Sequence, residues 1–307
     1  MDLSTITRWS RHGPVLLGGT FVVLLMIWDG VATARQAKVD VLRVGTSGTL
    51  TTEKDSKEKG ALETLRKFIK DETGLENEIV RQKSWQDLTD KLTKGELHLG
   101  VYRGFEFAWA QEKQPNLKPL ALAVNVYRYP VAHVVTRQDS PAANVAGLPG
   151  QSLTIPVESQ SYLRLFVEHE ARAAGKAPEA FFSKITTDQN VEDALDDVVD
   201  GVVQAAAADR VALEAFKRRK PARFKQLKEV AHSAPLPPPV IAYYGDVLDA
   251  ATRERFTQGL LEANRKDAGQ TMLTLFRLTG FEAPPDDFGK VLQTARATYP
   301  APSTPAK

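Results

Sequence analysis

Residues 152–170, SLTIPVESQSYLRLFVEHE, contain the strand-to-helix transition that decides the fold of this chain. The β-branched and apolar run at the start predicts a buried strand, and a helical repeat of apolar residues begins at Tyr162. A polar loop of Ser159, Gln160 and Ser161 lies near the helix start. The backbone N–H groups there have no partner within the helix and carry partial positive charge, so they can hold an anion. The alternative interpretation is that Ser161 is an ordinary N-cap.

A helix-to-strand pattern occurs twice, at positions 106 residues apart. Residues 84–102, SWQDLTDKLTKGELHLGVY, align with residues 190–208, NVEDALDDVVDGVVQAAAA. Each copy predicts a helix, a glycine suited to the left-handed position after a helix (Gly95 and Gly201), and an apolar strand. The repeat predicts two lobes of similar design, although a helix, a glycine and a strand can also follow one another by chance.

Strand and helix patterns alternate along the rest of the chain, which favours an α/β fold with mainly parallel sheets. The first part predicts a strand over 41–46, a polar loop and an amphipathic helix that ends at Gly74. Two proline-containing stretches are candidate connections between the lobes: 120–135, which Pro130 divides, and 233–240. The predicted organisation is lobe 1 at 38–127 plus 238–299, lobe 2 at 128–237, and a disordered tail at 300–307.

The composition excludes several classes of function. Among the 307 residues, 40 are Lys or Arg and 38 are Asp or Glu, a balance that does not indicate nucleic-acid binding. The absence of cysteine rules out disulfides, thiolate chemistry and a lipid-modified cysteine anchor. The five histidines are scattered, so no metal site is expected. The sequence has neither a phosphate-binding P-loop nor a serine-hydrolase elbow, and we expect a binding protein without a cofactor rather than an enzyme.

The first 34 residues have the features of an export signal. Arg8 and Arg11 precede a 14-residue apolar core at 15–28, which is shorter than the roughly 20 residues that span a bilayer. The sequence Ala-Thr-Ala at 32–34 is a small-x-small cleavage site. We therefore expect a cleaved signal peptide over 1–34 and a periplasmic mature protein. An uncleaved membrane anchor is the alternative.

This order of elements resembles that of the periplasmic substrate-binding proteins of ABC importers for phosphonate, phosphate and phosphite, and of the related sulfonate binders. The resemblance covers about residues 40–290 and rests on the order of elements rather than on any single motif. It implies a type 2 periplasmic-binding-protein fold, in which two lobes joined by two crossover strands close over a small oxyanion. The implied partner is an ABC importer permease, and the chain is expected to be a monomer.

The resemblance also implies ligand contacts at the ends of strands in both lobes. The second-lobe strand carries Gln204 where aminophosphonate binders carry a carboxylate, and Asp188 and Asp209 lie nearby in sequence. This departure weakens the case for an amine-bearing ligand, whereas Arg103 and Arg164 favour a more anionic one. The implied ligand-binding residues are Thr46, Ser47, Gly48, Thr49, Tyr102, Arg103, Gly104, Phe105, Ser159, Gln160, Ser161, Asp188 and Gln204. Two alternative functions stay open: a sensory or non-transport binding module, and a lyase or biosynthetic enzyme that uses the same cleft.

Overall fold

Two β-sheets, each flanked by helices, form the framework of the protein. The computed structural model describes residues 39–47, 56–156, 161–187 and 190–302, all within one compact unit. The strands are β1 (Val41–Thr46), β2 (Glu76–Arg81), β3 (Leu99–Tyr102), β4 (Leu117–Val124), β5 (Ala132–Arg137), β6 (Ser152–Thr154), β7 (Lys184–Thr186), β8 (Ala205–Asp209), β9 (Leu227–His232), β10 (Val240–Tyr244) and β11 (Gly280–Glu282). The α-helices are α1 (Ser56–Thr73), α2 (Trp85–Thr93), α3 (Gly104–Lys113), α4 (Ser161–Ala173), α5 (Pro178–Phe181), α6 (Val191–Asp200), α7 (Arg210–Arg219), α8 (Pro221–Phe224), α9 (Ala250–Leu261), α10 (Asp267–Leu275) and α11 (Phe288–Thr298).

The two sheets share one arrangement of strands. The six-stranded sheet has the order β11-β4-β10-β3-β1-β2, and the five-stranded sheet has the order β7-β6-β8-β5-β9. We call the first sheet with its helices lobe 1 and the second lobe 2. In lobe 1, β2, β1 and β3 are parallel, while β10 and β4 are antiparallel to their neighbours. In lobe 2, β7, β6 and β8 correspond to the parallel group, and β5 and β9 to the antiparallel strands.

The predicted two-lobed α/β class is confirmed, but the sheets are mixed rather than mainly parallel. The sequence-based expectation of parallel strands holds for β1, β2 and β3 in lobe 1 and for β6, β7 and β8 in lobe 2. It fails for β5 and β10, which the chain enters directly from the connections between the lobes. Without a helical crossover to return the chain to the opposite end of the sheet, these strands run antiparallel to their neighbours.

The sequence repeat corresponds to the same local structure in each lobe. Ser84 caps α2 and Asn190 caps α6, each by accepting a hydrogen bond from the backbone N–H three residues later, at 3.2 and 3.0 Å. Gly95 and Gly201 follow the two helices with φ angles of 72° and 76°, a left-handed conformation that glycine adopts without a steric penalty. The chain then enters β3 and β8, which occupy corresponding interior positions of their sheets.

Two connections run between the sheets, as the proline-containing stretches predicted. The run at 120–135 divides into β4 of lobe 1 and β5 of lobe 2, with Pro130 between them. The segment at 233–239 returns the chain from β9 to β10. The two connections contact each other through a hydrogen bond of 2.9 Å from the Leu236 N–H to the Pro130 carbonyl. In the described ranges, no helix is both long and apolar enough to cross a membrane.

Candidate ligand-binding site

A cavity of about 270 Å³ lies between the lobes, beside the connections. Its lobe 2 wall contains residues from the beginnings of three helices, α4, α6 and α7. Its lobe 1 wall is formed by the end of β4 and the segment that follows α10. The lining residues are Ala123, Asn125, Tyr127, Pro130, Val131, Pro156, Tyr162, Leu163, Val191, Asp209, Arg210, Val211, Ala212, Ala215, Arg219, Pro238, Pro239, Phe276, Arg277 and Leu278.

The parallel strands of lobe 2 explain why these helices begin beside the cavity. Strands β6, β7 and β8 end at the same edge of the sheet, and each is followed in the chain by a helix that begins there. Partial positive charge accumulates at such helix starts, which favours an anion. Asp209 caps α7 by accepting a hydrogen bond of 2.7 Å from the Ala212 N–H, and Asn190 caps α6. At α4 the first helical residue is Ser161, whose side chain is exposed.

A tyrosine and a carboxylate face each other on the lobe 2 wall. The hydroxyl of Tyr162 lies 3.4 Å from Oδ2 of Asp209. Burial, followed by the negative charge of Asp209, raises the pKa of Tyr162 well above its usual value. The hydroxyl therefore stays protonated at neutral pH and acts as a hydrogen-bond donor toward the carboxylate.

Three arginines line the cavity, and two of them are paired with carboxylates: Arg210 with Glu214 at 3.1 Å and Arg219 with Glu192 at 2.5 Å. Among the described residues, the charged side chains that line the cavity are those of Arg210, Arg219, Arg277 and Asp209. The guanidinium of Arg210 stacks 4.0 Å from the centre of the Tyr127 ring, which fixes its position. Arg277 is held in the left-handed conformation, with φ of 55°. Sequence reasoning missed Arg277 because no motif links it to residues of lobe 2.

The pairing of β1 with β3 brings the predicted lobe 1 contacts together. Thr46 is paired with Val101, which places Ser47 beside the loop that starts α3. Thr46 is almost fully buried, at 1% exposure. The Ser47 hydroxyl donates a hydrogen bond to the carboxylate of Glu106. Ser47 is therefore already hydrogen-bonded within lobe 1.

Glu106 is a residue of this region that the sequence analysis missed. Its carboxylate accepts a hydrogen bond of 3.2 Å from the Arg103 N–H and lies 3.5 Å from the Arg103 guanidinium. Burial raises the pKa of Glu106, although the hydrogen bond from Ser47 and the charge of Arg103 act in the opposite direction. The three-residue spacing from Arg103 to Glu106 matches the geometry in which an N3 carboxylate caps a helix, and could have indicated this role.

Tyr102 and Phe105 are core residues and not ligand contacts. Tyr102 is fully buried, and its hydroxyl lies 3.0 Å from that of Thr89 on α2. Phe105 packs against Trp109 and Tyr299, with ring centres 6.0 and 5.0 Å away. The prediction that these two side chains contact a ligand is corrected, because both are directed into the packing between helices.

Gly104 has a structural role at the connection between the lobes. A Cβ atom added there would lie 1.8 Å from the carbonyl oxygen of Pro237 and 2.8 Å from that of Pro238. Only glycine allows the start of α3 to approach this segment so closely.

Gln204 lies at the wrong end of its strand to contact a ligand in the cavity. It precedes β8, whereas Asp209 at the other end of β8 lines the cavity. Its side-chain oxygen accepts hydrogen bonds from the N–H and the hydroxyl of Ser152, at 3.1 and 2.7 Å. Arg164, which the sequence analysis considered as a residue favouring an anionic ligand, forms an ion pair with Glu168 at 3.0 Å. The predicted contacts that lie outside the described residues are Gly48, Thr49, Ser159, Gln160 and Asp188.

The described residues contain no group of three or more histidines, cysteines or carboxylates that could hold a metal ion.

Two similar lobes, two connections and a cavity between them define a class of protein that binds a small ligand in a cleft. The family model for ABC-transporter phosphonate periplasmic substrate-binding proteins matches residues 48–288. The chain therefore belongs to this family of extracytoplasmic binding proteins, which serve a transporter and are not enzymes.

Solved structures share the fold. XAC2383 from Xanthomonas citri bound to a chloride ion has a TM-score of 0.61 at 18% identity, over 85% of this chain and 98% of that chain. PhnD1 from Prochlorococcus marinus in complex with methylphosphonate has a TM-score of 0.57 at 15% identity, over 84% of this chain and 97% of that chain. A binding protein of an ABC phosphonate transporter from Pseudomonas aeruginosa has a TM-score of 0.54 at 13% identity, over 84% of this chain and 87% of that chain. Among curated proteins, none matches the sequence. The fold is that of the type 2 periplasmic binding proteins.

Proposed function

We propose that this protein captures a phosphonate, phosphate or phosphite between its two lobes and delivers it to an ABC importer permease. The observation that carries the proposal is the cavity between the lobes, at which α4, α6 and α7 all begin. The partial positive charge of these helix starts favours a small anion at this position.

The proposed ligand contacts come from both lobes and extend the site beyond the residues that line the cavity. In lobe 1 they are the loop that follows β1, with Arg103 at the start of α3. In lobe 2 they are the loop before α4, together with Ser161. The side chains proposed to contact the oxyanion are Thr46, Ser47, Thr49, Arg103, Ser159, Gln160 and Ser161, with the backbone of Gly48. Asp188 is proposed as a contact to a hydrogen-bond donor of the ligand, because a carboxylate repels an oxyanion.

The same proposal includes the organisation and location of the chain. Lobe 1 comprises 38–127 and 238–299, lobe 2 comprises 128–237, and residues 300–307 form a tail. We expect a monomer exported through a signal peptide that is cleaved after residue 34. N-terminal sequencing of the exported protein would locate the cleavage site, and a full-length product in the membrane fraction would contradict cleavage.

Calorimetric titration with phosphate, phosphite, methylphosphonate and sulfate tests ligand capture directly. Hydrogen bonds to a charged group contribute about 1.5–3 kcal/mol. Ser161→Ala is therefore expected to lower the affinity for the anion that binds most tightly by roughly 10- to 150-fold. Ser183→Ala, an exposed position in lobe 2, is the matched control. If Ser161→Ala keeps full affinity, Ser161 does not contact the oxyanion. If none of the four anions binds, the proposed function is wrong.

A further inference from the structure

The first connection between the lobes carries two tyrosines at matched positions. Tyr127 lies three residues after the end of β4, and Tyr129 lies three residues before the start of β5. Strand β4 belongs to the sheet of lobe 1 and β5 to that of lobe 2. If each side chain only anchored its own end of the connection, Tyr127 would bond to lobe 1 and Tyr129 to lobe 2. Their hydrogen bonds run the other way.

Tyr127 is bonded to lobe 2. Its hydroxyl donates a hydrogen bond of 2.5 Å to Oε2 of Glu214 on α7. The other carboxylate oxygen of Glu214 accepts a hydrogen bond of 3.1 Å from Nε of Arg210, whose guanidinium stacks on the Tyr127 ring. Because α7 follows β8 of the lobe 2 sheet, the lobe 1 end of the connection is linked to lobe 2.

Tyr129 and its neighbour Arg128 are bonded to lobe 1. The Tyr129 hydroxyl donates a hydrogen bond of 3.0 Å to Oδ1 of Asp287, directly before α11, which packs against α3 of lobe 1. Burial, followed by this hydrogen bond, raises the pKa of Tyr129 to about 12, so the hydroxyl stays protonated at neutral pH. Arg128 donates a hydrogen bond to the carboxylate of Glu282 on β11, an edge strand of the lobe 1 sheet. The lobe 2 end of the connection is therefore linked back to lobe 1.

These two opposite links cross within one short segment. A hinge absorbs a rotation between lobes through changes of φ and ψ at a few residues of the connection. When side chains on both sides of the pivot bond to the far lobe, such a rotation separates each side chain from its partner. The backbone of the segment is also held on the lobe 1 side, because the Val126 N–H donates a hydrogen bond of 2.9 Å to Oγ1 of Thr279.

We infer that Tyr127 and Tyr129 form a cross-brace that opposes rotation of the two lobes about the first connection. The cross-brace comprises the hydrogen bonds from Tyr127 to Glu214 and from Tyr129 to Asp287. It holds the lobes in the arrangement in which both of them line the cavity, and its hydrogen bonds break when the cavity opens. The inference concerns the motion of the lobes and does not depend on which ligand binds.

Removal of single hydroxyl groups tests the cross-brace without a ligand. The chain has no cysteine, so spin labels can be placed selectively at Lys94→Cys in lobe 1 and Lys176→Cys in lobe 2, both at exposed positions. Double electron–electron resonance measures the distance between the labels. For Tyr127→Phe and for Tyr129→Phe, we expect the ratio of molecules in the main arrangement to those in other arrangements to fall roughly 2- to 10-fold. In the double variant the two effects multiply.

The control removes a tyrosine hydroxyl that does not link the lobes. Tyr243 lies on β10, and its ring contact with Arg253 on α9 lies within lobe 1. Tyr243→Phe is therefore expected to leave the distance between the labels unchanged.

The rate of ligand release gives a second measurement. Tyr129 is not among the described residues that line the cavity, so Tyr129→Phe leaves the described cavity wall unaltered. Dyes on the same two cysteines report opening by energy transfer, and an excess of unlabelled protein traps the methylphosphonate that is released. Because opening precedes release, we expect release from Tyr129→Phe to be roughly 2- to 10-fold faster than from the wild type.

Each outcome decides the inference. Equal distance distributions in the wild type and the double variant would overturn the cross-brace. Unchanged or slower release of methylphosphonate from Tyr129→Phe would also overturn it, because the bond would then not oppose opening of the bound protein. An effect of Tyr243→Phe as large as that of Tyr129→Phe would show that the links between the lobes are not the cause. If methylphosphonate does not bind, the proposed function loses support, and the distance measurement decides the inference by itself.

Discussion

The hydroxyl of Ser47 donates a hydrogen bond to the buried carboxylate of Glu106 on α3. Ser47 follows β1, and Glu106 lies in the first turn of the helix that follows the neighbouring strand β3. The same carboxylate pairs with Arg103 at 3.5 Å. A carboxylate therefore lies beside two groups that we propose as oxyanion contacts, and its charge opposes anion binding.

Glu106→Gln is expected to strengthen anion binding. The amide keeps an acceptor oxygen for Ser47 and Arg103 but removes the negative charge. Two like charges about 6 Å apart repel by about 3 kcal/mol at an effective dielectric of about 20, and Arg103 offsets part of this. We expect methylphosphonate to bind about tenfold more tightly. Calorimetry at low salt measures the change, and Glu112→Gln, at an exposed position on the same helix, is the control.

The raised pKa of Glu106 predicts a pH dependence of folding stability. A carboxyl whose pKa is higher in the folded state contributes stability that is complete below its unfolded pKa and is lost as pH rises through its folded pKa. Burial is the main cause of this shift. Between those two values the wild type is expected to lose stability relative to Glu106→Gln as the pH rises. Urea unfolding across this range measures the difference, and parallel curves for the two proteins would contradict the prediction.

The sequence predicted elements that local patterns determine. The strand at 41–46, the helix that ends before Gly74, and the break at Pro130 are all present. Periodicity, glycine and proline act over a few residues, so these features can be derived from the sequence alone. The repeat extended the prediction to two similar lobes, because both copies have the same caps and glycines.

The side-chain environment of the site depends on contacts between distant residues. Tyr102 ends β3 and could face either side of the sheet; the contact with Thr89 on α2 decides that it is buried. Glu106 lies 59 residues from Ser47, and only the pairing of β1 with β3 brings them together. Arg277 follows α10 in lobe 1, far in sequence from Asp209, yet both line one cavity.

Gly104→Ala is expected to destabilise the fold by about 1–3 kcal/mol or more. The added methyl group would collide with the backbone carbonyls of Pro237 and Pro238, which cannot rotate away as a flexible side chain can. Gly289→Ala is a matched control within α11, where an added Cβ meets nothing within 4 Å. That change is expected to be neutral or to stabilise by up to about 1 kcal/mol. Urea unfolding of both variants measures their free energies of unfolding. If the two variants are equally stable, the start of α3 does not approach the Pro237 and Pro238 carbonyls closely.

Glu229→Gln is expected to lower the stability of lobe 2 at neutral pH. Burial alone would raise the pKa of Glu229, but hydrogen bonds from His232 and His133 outweigh it, and the net pKa is lowered. Such a carboxylate contributes stability above its unfolded pKa and loses it as pH falls through its folded pKa. Because the side chain is 42% exposed, the expected loss is only about 0.2–1 kcal/mol. Thermal melts at several pH values measure it, with Glu179→Gln as the control for an exposed lobe 2 carboxylate. If the difference in melting temperature between the wild type and Glu229→Gln is the same at acid pH as at neutral pH, the prediction is wrong.

Val126→Gly is expected to keep or increase stability, unlike most changes from valine to glycine. Val126 lies just after β4 in the connection to lobe 2 and has φ of 62°, with its N–H bonded to Thr279 Oγ1 at 2.9 Å. The left-handed conformation costs an L-residue about 1–2 kcal/mol, whereas glycine avoids that strain and costs about 0.5–1 kcal/mol in chain entropy.

The net effect of Val126→Gly should therefore lie between zero and about 1 kcal/mol of stabilisation, because the 55% exposed side chain buries little surface. Val80→Gly is the matched control, since Val80 is 42% exposed in the regular strand β2. That variant has no strain to release and is expected to lose about 1 kcal/mol. Urea unfolding decides between the two behaviours. An equal loss in both variants would mean that the connection carries no strain at Val126.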